Sequence, residues 1–474
     1  MKNDIAIIWF RQDLRLSDNP ALTAAARHAH VLPLYILDDH NGGEHTIGAA
    51  SKWWLHYSLK SLNTSLNESL SLYQGEPMAI LTDILSRYQV TAVYWNRCYE
   101  PWQITRDKHI KARLSALGIT VNSFNASLQH EPWTILKNDN TPYQIFTPYY
   151  RRANLLDTDT QALPAPGITG ALCQDSQSIS LEALKLRPKI RWDGNFYPCW
   201  TPGEAGAQSS LDQFLAHGLE NYQAGRDFPG LKAVSRLSPH LHFGEISPRQ
   251  INQALLSLPD DNNREHFKRE LSWREFSYYL LFHWPELPEK NLKTHFTHFA
   301  WSDNPESLKR WQQGLTGYPL VDAGMRELWQ TGFMHNRVRM ICASFLVKNL
   351  LIDWRLGARW FWQCLVDADL ASNSASWQWV AGCGTDASPY FRIFNPITQG
   401  EKFDPQGTYI KHFLPELKNL PLKYLFRPWQ APADILKKAN ITLGQDYPLP
   451  MVDIKESREN ALAAYHQIKH LSHS

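Results

Sequence analysis

Between residues 367 and 396 the chain sets Asp367, Asp369, Asn373, Trp377 and Trp379 ahead of a Phe-Arg-Ile-Phe stretch. That mixture is what an aromatic cofactor site requires. The carboxylates supply acceptors for the N–H edge of a heteroaromatic ring or for sugar hydroxyls. The amide supplies both donor and acceptor, and the indoles supply flat apolar walls. An ordinary core would not hold the two acids. Upstream, Ser235-Arg236-Leu237-Ser238-Pro239 puts hydroxyls and free backbone N–H groups at a helix start, where the dipole favours an anion such as a pyrophosphate. A capped helix without any ligand fits the same five residues.

These groups must be carried by folded elements, and the chain divides by pattern. In the first 125 residues, short apolar runs alternate with polar or amphipathic stretches. Ile5 to Phe10, Val31 to Leu37, Met78 to Leu81 and Ala92 to Trp95 read as buried parallel strands, with helices between them such as Ile104 to Leu117. The expected fold is an α/β doubly wound parallel sheet at the N-terminus and a larger all-α domain after it. No glycine-rich phosphate loop follows the first strand, where Arg11-Gln12-Asp13-Leu14-Arg15 stands instead. From about Ala126 to Tyr197 the periodicity fades and prolines at 132, 142, 148, 164, 166 and 188 interrupt it, which reads as an ordered connector. After residue 200 helical spacing dominates, with Ser238-Pro239 and Ser247-Pro248 as serine caps with proline in the first turn. The expected divisions are 1–130 (α/β), 131–197 (connector) and 198–474 (helical).

At 474 residues the chain exceeds one ordinary core, and its net charge of +2 excludes a polycation that coats nucleic acid indiscriminately. A local basic patch is the alternative, and Arg337, Arg339, Lys348 and Arg355 oppose a single acid, Asp353, between residues 331 and 355. Six cysteines form no Cys-x-x-Cys pair, and neither a signal peptide nor an apolar run near 20 residues is present, as expected of a soluble protein in a reducing compartment. Three motif matches are decoys. Asp367-x-Asp369 opens like a calcium loop, but Ala371, Ser372 and Gln378 stand where an acid, glycine and glutamate are needed. Gly382-Cys383-Gly384-Thr385-Asp386-Ala387 follows Trp-Gln-Trp-Val instead of a strand. His295-x-x-His298 has no third ligand nearby, so no metal site is expected.

Taken together, the opening Ile7-Ile8-Trp9-Phe10-Arg11-Gln12-Asp13-Leu14-Arg15-Leu16, Ser235-Arg236-Leu237-Ser238, Trp273-Arg274-Glu275-Phe276, Thr316 to Ala323, Met334-His335-Asn336-Arg337 and the 367–396 stretch closely resemble the DNA photolyase and cryptochrome family, most of all its class I cyclobutane-dimer branch. The match spans nearly the whole chain. It implies a light-driven lyase in which excited, reduced FAD passes an electron to a pyrimidine dimer flipped out of DNA, the ring splits, and the electron returns. FAD would be held by Tyr222, Val234, Ser235, Arg236, Leu237 and Ser238. Arg339 would pair with Asp367, Asp369 would meet the flavin, and Asn373 would sit opposite flavin N5. Asparagine there resembles the repair enzymes; aspartate is expected in plant-type and cysteine in animal-type cryptochromes.

The same resemblance nominates Glu270, Trp273, Asn336, Met340 and Trp379 for the lesion pocket, with Glu270, Asn336, Met340 and Asn373 as the catalytic set. Arg226, Arg337, Arg392 and Lys402 are candidates for DNA phosphate contacts. Trp377, Trp354 and Trp301 fall where the family has an electron-hopping chain from flavin to surface. Glu100, after the strand ending Trp95-Asn96, looks like the acid that meets the pterin of an antenna 5,10-methenyltetrahydrofolate, favoured over a deazaflavin. The implied partner is UV-damaged DNA, with no membrane. The expected protein is a monomer in a bacterial-type cytoplasm, held at the nucleoid through DNA.

Overall fold

The structure, a computed structural model, describes residues 4–156, 161–168, 171–387 and 392–469. Its N-terminal part alternates strands β1 (Ile5–Phe10), β2 (His30–Leu37), β3 (Ser71–Gln74), β4 (Val90–Asn96) and β5 (Thr120–Phe124) with helices α1 (Pro20–Ala25), α2 (Ala49–Ser65), α3 (Pro77–Arg87) and α4 (Pro101–Ala116). All pairings are parallel, in the order β3-β2-β1-β4-β5. Every residue of β1 is buried, as a strand covered by helices on both faces must be. Ile5, Ile7 and Trp9 of β1, Leu32, Leu34 and Ile36 of β2, and Val93 and Trp95 of β4 share one core with Leu81 and Ile84 of α3 and Ile110 and Leu114 of α4.

Two expectations are corrected. Met78 to Leu81 is helix, not strand. Glu76 caps it, accepting from the backbone N–H groups of Met78 at 3.0 Å and Ala79 at 2.6 Å, and Pro77 occupies the first turn; of the apolar run only Leu81 lies on the buried face of α3, with Pro77 and Ile84. The segment read as an aperiodic connector also carries a helix, α5 (Phe146–Ala153), and a short strand, β6 (Ala171–Leu172). β6 pairs with His30 and Val31, beside the stretch of β2 (Leu34 to Leu37) that pairs with β3.

In a doubly wound sheet the order reverses at β1/β4, and the crevice beyond those strand ends is the usual ligand site. Here the chain fills it with its own charges. Arg11 is buried and bonds Asp107 at 2.8 Å and the Asn96 carbonyl. The Asn96 side chain donates to Asp13 at 2.6 Å. Arg15, fully buried, donates to the carbonyls of Asp18, Ala126 and Gly244 at 2.7–2.8 Å. Gly244 is obligatory, with φ of +67° and space for a Cβ only 2.1 Å from the Gln12 carbonyl oxygen.

The later chain is helical: α6 (Glu204–Gln213), α7 (Tyr222–Gly225), α8 (Ser238–His242), α9 (Pro248–Leu256), α10 (Asn262–His283), α11 (Pro305–Gln312), α12 (Pro319–Thr331), α13 (Asn336–Ser344), α14 (Trp354–Cys364), α15 (Leu370–Ala381) and α16 (Pro396–Phe403), with further helices to Lys469. A π-helical turn, Phe345–Asn349, follows α13. Two compact units organise the chain. The first gathers residues 1–220, 235–285 and 366–371, and the second gathers 221–234, 286–365 and 372–474. In the second, buried Asp322 organises the Thr316 to Ala323 motif. It accepts from the Thr316 N–H and hydroxyl at 2.7 and 2.6 Å, the Gly317 N–H at 3.0 Å and the Tyr447 hydroxyl at 2.7 Å, so that motif is structural. Among the described residues, no helix is long and apolar enough to cross a membrane.

Candidate flavin and lesion site

In the first unit, the turn before α8 and the segment before α15 meet. The Ser238 hydroxyl donates to Asp367 at 2.6 Å. Its hydroxyl is therefore committed to the acid, and Leu237, which makes no side-chain bond, occupies the N-cap of a helix only five residues long, contrary to the capping expected from Ser238-Pro239. Ser247 does make the full capping box of α9. Arg236 takes a left-handed backbone conformation (φ +54°) and lays its guanidinium 4.2 Å over the Trp200 ring, which turns the chain sharply at the proposed phosphate loop.

Asp367 and Asp369 are each only 8% exposed. Asp369 accepts from the Tyr278 hydroxyl and lies 3.3 Å from His242 Nδ1. Burial by itself would raise its carboxyl, but the bond and charge of His242, the charge of Arg274 and the Tyr278 hydroxyl outweigh it, leaving the group below the ordinary carboxylate range. Arg274 is fixed in turn by the Ser127 carbonyl at 2.9 Å and stacks 4.8 Å over Tyr278. A buried carboxylate held ionised by this scaffold suits the N–H edge of a ring such as isoalloxazine, and the donor set around Asp367 and Asp369 fits FAD.

Glu100, the N-cap of α4, is 5% exposed and accepts from the Trp102 indole at 2.6 Å. Burial pushes its carboxyl up to about 7 against the field of His242, and Asp369 adds to the rise. Along α10, Glu270 and Trp273 stand three residues apart, hence on one face, both half-buried. Phe146 stacks on Trp273 at 3.7 Å and 11°.

In the second unit, α13 carries exposed Asn336 and half-buried Met340 one turn apart. Arg337 pairs with Asp227 at 2.6 Å and covers the Phe403 ring, which Lys402 also covers. Arg226 lies over the Tyr222 ring at 5.4 Å, and Arg339 donates to the Met334 carbonyl at 2.6 Å. The Asn373 amide donates to the Ala358 carbonyl of α14 at 3.1 Å. Trp377 is buried against Gly357, where a Cβ would come within 2.2 Å of the indole, and Phe361 meets its ring at 5.0 Å. Trp354 is fully buried and donates to Asn291 at 2.9 Å, whereas Trp301 is part-exposed against Phe299. Trp379, Arg392 and Lys348 line a shallow depression; Phe391 lies outside the described residues.

A family model described as the FAD binding domain of DNA photolyase matches residues 267–467, and one described as DNA photolyase matches residues 6–167. The deoxyribodipyrimidine photo-lyase of Agrobacterium fabrum is 49% identical over 99% of this chain and 99% of its own. The chain belongs to the DNA photolyase family. The likeness extends to Cryptochrome-2 of Arabidopsis thaliana, 37% identical over 96% of this chain and 77% of that one. The crystal structure of a bacterial class III photolyase from Agrobacterium tumefaciens superposes with a TM-score of 0.94 at 48% identity, covering 99% of this chain and 98% of that one.

For a DNA photolyase, the basic patch read between residues 331 and 355 needs revision. Lys348 is 2% exposed, and burial beside Arg392 pulls its ammonium down to about 7. Arg355 pairs with Asp353 at 2.9 Å and Arg337 with Asp227, so these four cations do not make one solvated face. The sequence reading also missed His242, Tyr278 and the scaffold role of Arg274. Arg274 lies inside the Trp-Arg-Glu-Phe motif, and His242 lies just past Ser238-Pro239, so the signal for both was their place in or beside a family motif.

Proposed function

We propose that this protein splits cyclobutane pyrimidine dimers in DNA under near-ultraviolet or blue light. What supports the reading most is the pairing of Glu270 with Trp273 on one face of α10 in a chain of this family. A carboxylate accepts from pyrimidine N–H groups while an indole, braced from behind by Phe146, offers its ring to a base. FAD, when bound and reduced, supplies the electron that light promotes. Asp367, Asp369 and Ser235 to Ser238 hold it, with Tyr222, Val234 and Arg339, and Asn373 faces its reactive edge. Asn336, Met340 and Trp379 complete the lesion pocket. Arg226, Arg337, Arg392 and Lys402 add affinity through phosphates without base specificity. Trp377, Trp354 and Trp301 carry electrons inward to restore the reduced cofactor. A folate antenna meets Glu100 on the α/β part, in preference to a deazaflavin.

The test is direct. The reduced holoprotein is mixed with an oligonucleotide carrying one cyclobutane thymine dimer, illuminated, and assayed for restored thymines against a dark control. Light-dependent restoration supports the proposal. No restoration by protein whose spectrum confirms reduced flavin removes it in favour of a photoreceptor or of six-four lesions.

A further inference from the structure

Glu100 has an environment that an antenna contact does not explain. Although it occupies the N-cap of α4, its carboxylate bonds none of that helix's N–H groups. It is instead sealed from solvent under Trp102, and the charges acting on it are those of His242 in α8 and Asp369 before α15. Gln12, in the loop after β1, is its other hydrogen-bonding neighbour. Asp369 is bound by His242 and by Tyr278 of α10, and Tyr278 lies under Arg274. Beyond Arg274, Glu275 lies 3.5 Å away.

We infer that this cluster is a proton store wired to the cofactor site, in which Glu100 binds a proton when the ring held beside Asp369 becomes negative. The inference rests on the FAD reading of Asp369. Within the cluster, Arg274 stays charged, Asp369 is held ionised, and burial drives the Tyr278 hydroxyl far above its usual range, so none of the three changes charge near neutrality. Glu100 does, at about 7, and so does Glu275, whose carboxylate oxygens face Arg274 and the Gln129 N–H, so that Glu100→Gln separates the two. Reduction by a dithiol transfers two electrons and oxidises the dithiol to a disulfide, freeing its two protons; the ring binds one, the other is left to the medium, and the ring carries one added negative charge. In a site of low dielectric that charge strengthens the hold of nearby acids on protons, so the Glu100 carboxylate takes one from water and becomes a neutral carboxyl. His242, which acts on both acids, transmits the change.

The experiment is anaerobic reduction of the flavin-loaded, full-length protein in weak buffer with a pH-indicating dye, between pH 6 and 9, with the midpoint potential followed in parallel. The expected result above pH 7 is that the medium gains less than the one proton the dithiol and the ring alone would leave, the shortfall being the excess uptake by the protein. Over that window the potential should fall about twice as steeply with pH, and an infrared band of a protonated carboxyl should appear on reduction. Glu100→Gln, which keeps an acceptor for Trp102, should lose the excess, the steeper slope and the band, whereas Glu100→Asp should keep all three at a displaced pH. Absence of excess uptake in the wild-type protein overturns the inference without any variant. So does excess uptake that survives in Glu100→Gln, including the case where that variant loses only a folate absorbance. Failure of the protein to hold flavin at all refutes the FAD reading instead.

Discussion

Glu275→Gln gives a stability change whose size and pH dependence follow from the structure. Glu275 is 4% exposed; one carboxylate oxygen accepts from the Gln129 N–H at 2.9 Å, and the other has no hydrogen bond, only Arg274 at 3.5 Å. Burial raises the carboxyl from 4.5 to about 7, although Arg274 and the backbone donors oppose it. In the native state the group therefore keeps a proton that the unfolded chain releases at lower pH. Stability contributed by the neutral carboxyl is complete below 4.5 and is lost progressively as pH rises towards 7 and beyond. At about 1.4 kcal/mol per tenfold change in proton concentration, the interval from 4.5 to about 7 sets a ceiling on the order of 3 kcal/mol. Glutamine accepts from Gln129 in the same way and never ionises. Urea unfolding of both proteins, followed by tryptophan emission at several pH values, should show near-equal stability at pH 4.5 and an advantage for Glu275→Gln of about 3 kcal/mol by pH 8. A pH-independent difference, or one that grows towards acid, would refute the account of a carboxyl penalised by burial.

Asp369→Asn should weaken flavin retention by about 2 kcal/mol, roughly 30-fold, read by equilibrium dialysis of FAD, because it removes a charged acceptor. Trp301→Phe should slow photoreduction of the oxidised protein in the presence of a reductant while leaving dimer splitting by pre-reduced protein largely intact. Unchanged photoreduction would remove Trp301 from the electron route. Gly357→Ala forces a methyl against Trp377 and Leu346 and should cost about 1–3 kcal/mol in urea unfolding while shifting indole emission. Arg337→Gln should weaken binding to damaged and undamaged DNA alike and reduce the salt slope of log K by about 1.

The parts of this fold that depend on local burial were legible in the sequence. β1 occupies the residues its apolar run marks, and α4 was recognised within a few residues. β3 and β5 were not recognised, because polar residues interrupt their short apolar runs: Gln74 in β3 and Thr120, Asn122 and Ser123 in β5 stand where the sheet leaves them wholly or partly exposed, and Ser71 is a polar residue that the fold buries. Met78 to Leu81 misled because a four-residue apolar run does not reveal its period; the helix is settled by Glu76-Pro77 before it and by Ile84 one turn on. At the site, Asp367 and Asp369 announced themselves as acids among aromatics. Their partners did not, since Tyr278 and His242 reach Asp369 from 91 and 127 positions away. Cations mislead in the same way: Lys348 reads as part of a basic run until the fold buries it.

The first compact unit closes only when residues 366–371 join segments that were translated long before them. On a ribosome, the α/β part and α8 to α10 emerge first, yet Ser238, His242 and Tyr278 wait for Asp367 and Asp369 through the synthesis of the whole 286–365 insertion, on the order of ten seconds. During that interval the nascent chain carries Ser238, His242 and Tyr278 without the acids that they meet in the finished protein. Cofactor loading is therefore a late event in biogenesis, and the two units cannot be exchanged between genes by a single crossover, because each is completed by sequence lying inside the other.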